Sequence, residues 1–191
     1  MILLETRTYQ ESESTGMNLP DSPSSSEHRK KAAALGPVRV ALITVSDTRT
    51  AETDVNAAFL GREVEAAGHR VTECRLIRDE PDQVESVLNT LLDGEAQVLL
   101  FNGGTGIAPR DTTYDVLSAR LDRTLPGFGE LFRMISFEQI GAAAMLTRAT
   151  AGTLRGKVII SMPGSPRAVE LAWEKLIEPE LAHLVWEANR S

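Results

Sequence analysis

Three stretches of this 191-residue chain carry residue types suited to binding and neutralising phosphate. Asn102-Gly103-Gly104-Thr105-Gly106 is a glycine-rich turn. Without Cβ atoms in the way, its backbone N–H groups can approach an anion, and a helix starting beyond it adds a positive dipole end. Ser46-Asp47-Thr48 and Pro163-Gly164-Ser165-Pro166 offer hydroxyls and more backbone donors, the latter as a stiff turn at the head of a helix. Just downstream of the glycines, Pro109-Arg110-Asp111-Thr112-Thr113 puts a carboxylate beside a guanidinium. Asp111 suits Mg²⁺ held against phosphates, and Arg110 pairs either with a phosphate or with Asp111. Asp79-Glu80 is a second acidic pair, which either faces the same place or caps the helix opening at Pro81. Each stretch taken alone has a plain structural use as a turn, a cap or a surface ion pair. The glycines form neither the G-x-G-x-x-G fingerprint nor a P-loop, since no Gly-Lys-Ser/Thr follows.

Other chemistries find little support. A formal charge of −7 and a pI near 5.1 argue against broad nucleic-acid binding, which needs Lys and Arg to replace counterions along phosphates. Cys74 is the single cysteine, so no disulfide forms within the chain; it is expected to pack as a small apolar residue. His28, His69 and His183 lie far apart in sequence and read as surface residues rather than as a ligand set. Trp173 and Trp186 fall on helices near the C-terminus and read as core or subunit contacts. No Ser/His/Asp or Cys/His nucleophile system is evident.

For the three stretches to meet, parallel strands must deliver them to one edge. Val38, Val40, Leu42, Ile43 and Val45 form a near-continuous apolar run, as in a strand covered on both faces. Asp54 to Ala67 reads as a helix with Val55, Phe59, Val64 and Ala67 on its inner side, and Arg70 to Ile77 as a weaker strand. Pro81 to Asp93 is the clearest helix, with Val84, Val87, Leu88, Leu91 and Leu92 at helical spacing. Gln97 to Phe101 is a second buried strand, and Thr112-x-x-Asp115 opens a helix to about Ala119 as a capping-box variant. A helix over Gly129 to Gln139 follows. Next come a hairpin of Ala149 to Leu154 with Lys157 to Met162 turning at Arg155-Gly156, and helices from about Arg167 and Pro179. This alternation predicts an α/β three-layer sandwich with a mostly parallel central sheet, whose ligands bind at the strand carboxyl ends.

Residues 1–36 are Ser-rich, Pro-containing and charged, and read as a flexible polar tail ahead of one domain over 37–191; Met17 is an alternative start. No run approaches the ~20 apolar residues of a membrane span, so the cytoplasm is the expected compartment.

Taken together and in this order, the motifs resemble the MoaB/Mog family of molybdenum cofactor biosynthesis proteins, whose fold recurs in the molybdopterin adenylyltransferase domains of plants and animals. The likeness runs from about Val38 to Ala188. It rests on Thr44-Val45-Ser46-Asp47-Thr48, Arg78-Asp79-Glu80, Gly103-Gly104-Thr105-Gly106 with Pro109-Arg110-Asp111-Thr112-Thr113, Leu125-Pro126-Gly127-Phe128-Gly129-Glu130, Ala144-Met145-Leu146-Thr147-Arg148 and Met162-Pro163-Gly164-Ser165-Pro166. The resemblance implies a molybdopterin-binding, MogA-like fold and Mg²⁺-dependent transfer of AMP from ATP to molybdopterin, releasing pyrophosphate. It assigns Asp79 and Asp111 to catalysis and to Mg²⁺. Substrate binding falls to Ser46, Asp47, Gly103, Gly104, Thr105, Gly106, Arg110, Gly164, Ser165 and Pro166.

It also implies a homotrimer or homohexamer and a downstream molybdenum-insertion partner. Tyr114 stands where Mog-type enzymes tend to carry Pro, which puts the chain nearer the MoaB branch and keeps open a second reading as a non-catalytic molybdopterin-binding or scaffold protein. A third, nucleotide-cleaving reading comes from the similar fold of the competence-damage proteins.

Overall fold

The computed structural model describes residues 23–190. The expected alternation is present: β1 (Arg39–Val45), α2 (Val55–Ala66), β2 (Arg70–Ile77), α3 (Pro81–Asp93), β3 (Val98–Asn102) and α4 (Thr113–Arg120), preceded by α1 (Pro23–Ala33). A two-residue strand β4 (Arg123–Thr124), α5 (Pro126–Ile140), the hairpin β5 (Thr150–Leu154) and β6 (Lys157–Met162), α6 (Pro166–Ala172) and α7 (Leu181–Asn189) complete it. The sheet runs β2-β1-β3-β6-β5-β4. β2, β1, β3 and β6 are parallel, while β5 runs against β6 and β4 against β5.

Side-chain alternation divides the core between the two faces of the sheet. Val40, Leu42, Val98, Leu100, Val158 and Ile160 pack under α2 and the C-terminal helices. Ala41, Ile43, Leu99, Phe101 and Ile159 pack under α3 and α4. Helices on both faces explain why β1 and β3 read as unbroken apolar runs. Each large side chain so buried contributes about 1.5–3 kcal/mol of transfer free energy. β2, at the sheet edge, has exposed and half-exposed positions throughout, hence its weaker pattern.

Several expectations are corrected. Cys74 is exposed rather than packed, because it lies on that edge strand. The inner side of α2 is Asn56, Leu60 and Val64, while Val55 faces solvent. No capping box forms at Thr112; Asp115 instead holds both its oxygens against Arg148 Nη1 at 2.9 Å. The polar segment was expected to be a tail as far as residue 36, yet over 23–33 it is helical. There α1 docks on α7 through the buried Ala32 and through His28, whose ring centroid lies 4.7 Å from that of Trp186. So small an apolar contact leaves no periodic signal in the sequence. Residues 1–22 of that expected tail lie outside the described residues.

Strand register sets up the site. Thr44 is level with Asn102, Asn102 with Met162, and Val45 with Ile77, so the parallel strands end on one line and release their loops side by side. Among the described residues no helix is long and apolar enough to cross a membrane.

Candidate functional site

The loops after β1, β3 and β6 touch one another. Gly103 takes φ +108°, and a Cβ there would lie 2.1 Å from the Val45 carbonyl oxygen. Its N–H donates to the Met162 carbonyl at 3.0 Å. A Cβ on Gly164 would reach within 3.1 Å of Gly103 Cα. Glycine at these positions is what lets the loops close on each other.

Beneath this contact runs a buried polar ladder. Asn102 Nδ2 donates to the Ile43 carbonyl at 3.1 Å and to Thr44 Oγ1 at 3.0 Å. Asn102 Oδ1 accepts from Asn56 Nδ2 at 2.7 Å, and Asn56 Nδ2 also donates to the Gly164 carbonyl at 2.9 Å. Arg49 Nη2 donates to the same carbonyl at 2.8 Å. Arg49 Nη1 and Asn56 Oδ1 are buried here without hydrogen-bond partners, although Arg49 Nη1 lies 3.5 Å from Asp54 Oδ1. Arg49, Asn56 and Asn102 were not among the expected site residues. Two of them flank the motifs, Arg49 following Ser46-Asp47-Thr48 and Asn102 preceding the glycines, which was the available signal.

The two aspartates assigned from the resemblance both lie against the glycine loop. Asp79 Oδ1 accepts from Thr112 N at 3.1 Å, Thr112 Oγ1 at 2.9 Å, Thr113 N at 3.2 Å and Thr113 Oγ1 at 3.0 Å. Asp79 therefore caps α4, not α3 as the local alternative had it, and places negative charge at a helix N-terminus where the dipole favours it. Glu80 is the residue at the start of α3, and its side chain makes no cap bond. The second oxygen of Asp79 lies beside Gly104, where a Cβ would come within 2.6 Å of it. Asp111 Oδ2 accepts from Ala108 N at 2.9 Å and crowds Gly106, whose Cβ would lie 2.5 Å away. Asp79 Oδ2 and Asp111 Oδ1 take no hydrogen bond among the described residues, so each aspartate is anchored by one oxygen and offers the other.

Arg110 pairs with Asp47 rather than with Asp111, joining the β1 and β3 loops across the rim. Ser46 Oγ accepts from Thr48 N at 3.3 Å and Arg49 N at 3.2 Å, leaving its O–H to donate outward. Ser165 Oγ caps α6 by accepting from Ala168 N at 3.4 Å, so that hydroxyl oxygen is partly committed to the fold; Pro166 follows as the first residue of the helix. Thr105 is buried, and its carbonyl accepts from Arg148 Nε at 3.3 Å. Arg148 also donates to the Asp111 carbonyl at 2.7 Å and lies 4.9 Å from the Tyr114 ring centroid, clamping the glycine loop to α4. Chemically, the rim combines close-approach backbone, guanidinium groups and two carboxylates with spare oxygens. That set suits phosphate groups accompanied by a divalent cation.

A family model described as a probable molybdopterin binding domain matches residues 41–183, which include all of these loops. The chain belongs to that family. Its likeness to the molybdenum cofactor biosynthesis protein B of Halalkalibacterium halodurans is 49% identity over 164 residues, covering 84% of this chain and 95% of the relative. A crystal structure of a molybdenum cofactor biosynthesis protein B superposes with a TM-score of 0.77 at 47% identity, covering 81% of this chain and 98% of the other. The tungsten cofactor synthesizing protein MoaB from Pyrococcus furiosus superposes with a TM-score of 0.74 at 32% identity, with the same coverage of each. These likenesses put the chain in the MoaB branch of the MoaB/Mog family, on the molybdopterin-binding fold.

Proposed function

We propose that this member of the molybdopterin-binding family works in molybdenum cofactor biosynthesis and transfers AMP from ATP to molybdopterin. The observation that carries the reading is the pair of half-anchored carboxylates, Asp79 beside Gly104 and Asp111 beside Gly106, on one glycine loop. In the reaction, an oxygen of the molybdopterin phosphate attacks the α-phosphorus of ATP, an anhydride bond forms, and the bond to the β-phosphate oxygen breaks to release pyrophosphate. No side-chain nucleophile is needed, since such transfer depends on alignment and charge neutralisation. The spare oxygens of Asp79 and Asp111 fit Mg²⁺, which when bound supplies neutralisation of the triphosphate. Backbone N–H groups of Gly104 to Gly106 orient phosphates, with Gly103 holding the turn against β6, while Arg110, Ser46, Asp47, Gly164, Ser165 and Pro166 line the approaches.

The test is chromatography of the purified protein with molybdopterin, ATP and Mg²⁺, beside Asp111→Asn. The wild type is expected to form adenylylated pterin. The variant is expected to fold with unchanged stability and to lose turnover by about 100-fold or more, as for removal of one electrostatic group from such a site. Full activity in Asp111→Asn refutes its role.

A second reading, a pterin carrier without transferase activity, is favoured by Tyr114. This residue stands where adenylyltransferases tend to carry Pro, and its ring lies under the Arg148 clamp. Pterin binding with no ATP-dependent product in the same assay selects it. A homotrimer or homohexamer is supported by the exposed apolar side chains Leu131, Met134, Phe137, Ile140, Met145 and Leu146 on and after α5. A cytoplasmic site of action and hand-over to a molybdenum-insertion protein complete the proposal.

A further inference from the structure

Away from the rim, α1 and α7 bring together side chains from the two ends of the described chain. His28 Nδ1 lies 3.2 Å from Glu187 Oε1, and His183 Nε2 lies 3.5 Å from the same oxygen. One ligand atom from each of His28, His183 and Glu187 falls within 4.8 Å of the others. The carboxylates around them divide their oxygens. Glu180 gives Oε1 to Arg29 and Oε2 to His183 Nδ1, the latter at 2.7 Å. Glu187 gives Oε2 to Arg190 at 3.3 Å and turns Oε1 toward the two imidazoles.

This arrangement fixes the His183 tautomer. With its Nδ1 hydrogen donated to Glu180, neutral His183 presents a lone pair at Nε2, and that atom is buried without a hydrogen-bond partner. It faces a carboxylate oxygen that also carries only lone pairs. Two lone-pair atoms so placed, with His28 Nδ1 beside the same carboxylate oxygen, can share one metal ion as ligands.

We infer that His28, His183 and Glu187 form a binding site for a zinc-type divalent cation, which staples α1 to α7. Two imidazole nitrogens and a carboxylate oxygen are a ligand set for zinc or a neighbouring first-row metal, with a fourth position left to water. The Glu180 carboxylate behind His183 is the orienting partner that metal-bound imidazoles usually have. The two ring centroids are 6.2 Å apart.

The experiment titrates the full chain with Zn²⁺ by calorimetry and records visible absorption after titration with Co²⁺. One equivalent is expected to bind, with the cobalt bands of a four-coordinate nitrogen and oxygen site. Exchange of the α1 amides should slow on binding. Glu187→Gln, which keeps the side chain's shape, and His28→Ala, which leaves the sheet core untouched, should each weaken Zn²⁺ by more than the about 10–100-fold caused by losing an orienting partner. Unchanged circular dichroism then separates a lost ligand from a lost fold. Cys74→Ser, which alters the one thiol on the exposed edge strand, should bind as the wild type does. Absence of Zn²⁺ binding, unchanged affinity in Glu187→Gln and His28→Ala, or loss in Cys74→Ser overturns the site.

Discussion

The loop rim at the carboxyl ends of the strands and the seam between α1 and α7 are both polar, but they are held in different ways. At the rim, side chains are fastened mainly to backbone: Asp79 to the first amides of α4, Asn102 to the Ile43 carbonyl, Arg49 to Gly164 and Arg148 to Thr105 and Asp111. At the seam, side chains meet side chains, as in Arg29 with Glu180 and His28 with Glu187, and most are partly exposed. Backbone partners are rigid and cannot reorient to compensate a loss, whereas exposed ion pairs exchange readily with water. The rim should therefore be costly to disturb and the seam cheap.

Gly103→Ala should have the largest effect. It combines strain at φ +108° with a Cβ 2.1 Å from the Val45 carbonyl oxygen of β1, which is paired with β3 directly before the glycine. A loss of about 3 kcal/mol or more is expected in urea unfolding, and a near-neutral result would mean that the rim is softer than its bonding indicates. Asp79→Ala comes next, removing the acceptor shared by Thr112 and Thr113; the loss of such a cap costs about 1–2 kcal/mol. Arg29→Ala at the seam should cost no more than about 1 kcal/mol, and less in high salt. A larger, salt-insensitive loss would put the seam in the same class as the rim.

The smallest effect tests whether backbone anchoring, rather than location, makes the difference. His69 lies at the opposite edge of the sheet, where its Nδ1 accepts from Val38 N at 3.2 Å and burial pushes its pKa below the ordinary value, against a weaker pull from Glu178. Its folded form thus resists protonation, and the unfolded chain takes up the proton first. Stability from this group is complete above the ordinary His pKa near ~6.5 and is lost as pH falls below it toward the folded value. Denaturant midpoints at pH 7.5 and 5.5 should fall less with acid in His69→Gln than in the wild type. Equal slopes would show that the bond to Val38 does not discriminate between protonation states.

The sequence by itself determined the alternating elements, the glycines of the loop and the motif order that marks the family. These depend on side-chain period and on local sterics, which act over a few residues. The range Pro81–Asp93 was legible to the residue because proline, apolar period and glycine agree there. The tertiary structure alone decided which partner each charged group takes. Asp79 caps a helix beginning at Thr113, Arg110 crosses to Asp47, and His28 meets His183, since each pairing depends on strand register and helix docking that bring distant atoms within bonding distance. α1 stayed hidden for the same reason: its helix is held by what it touches on α7, and its own composition carries no trace of that contact.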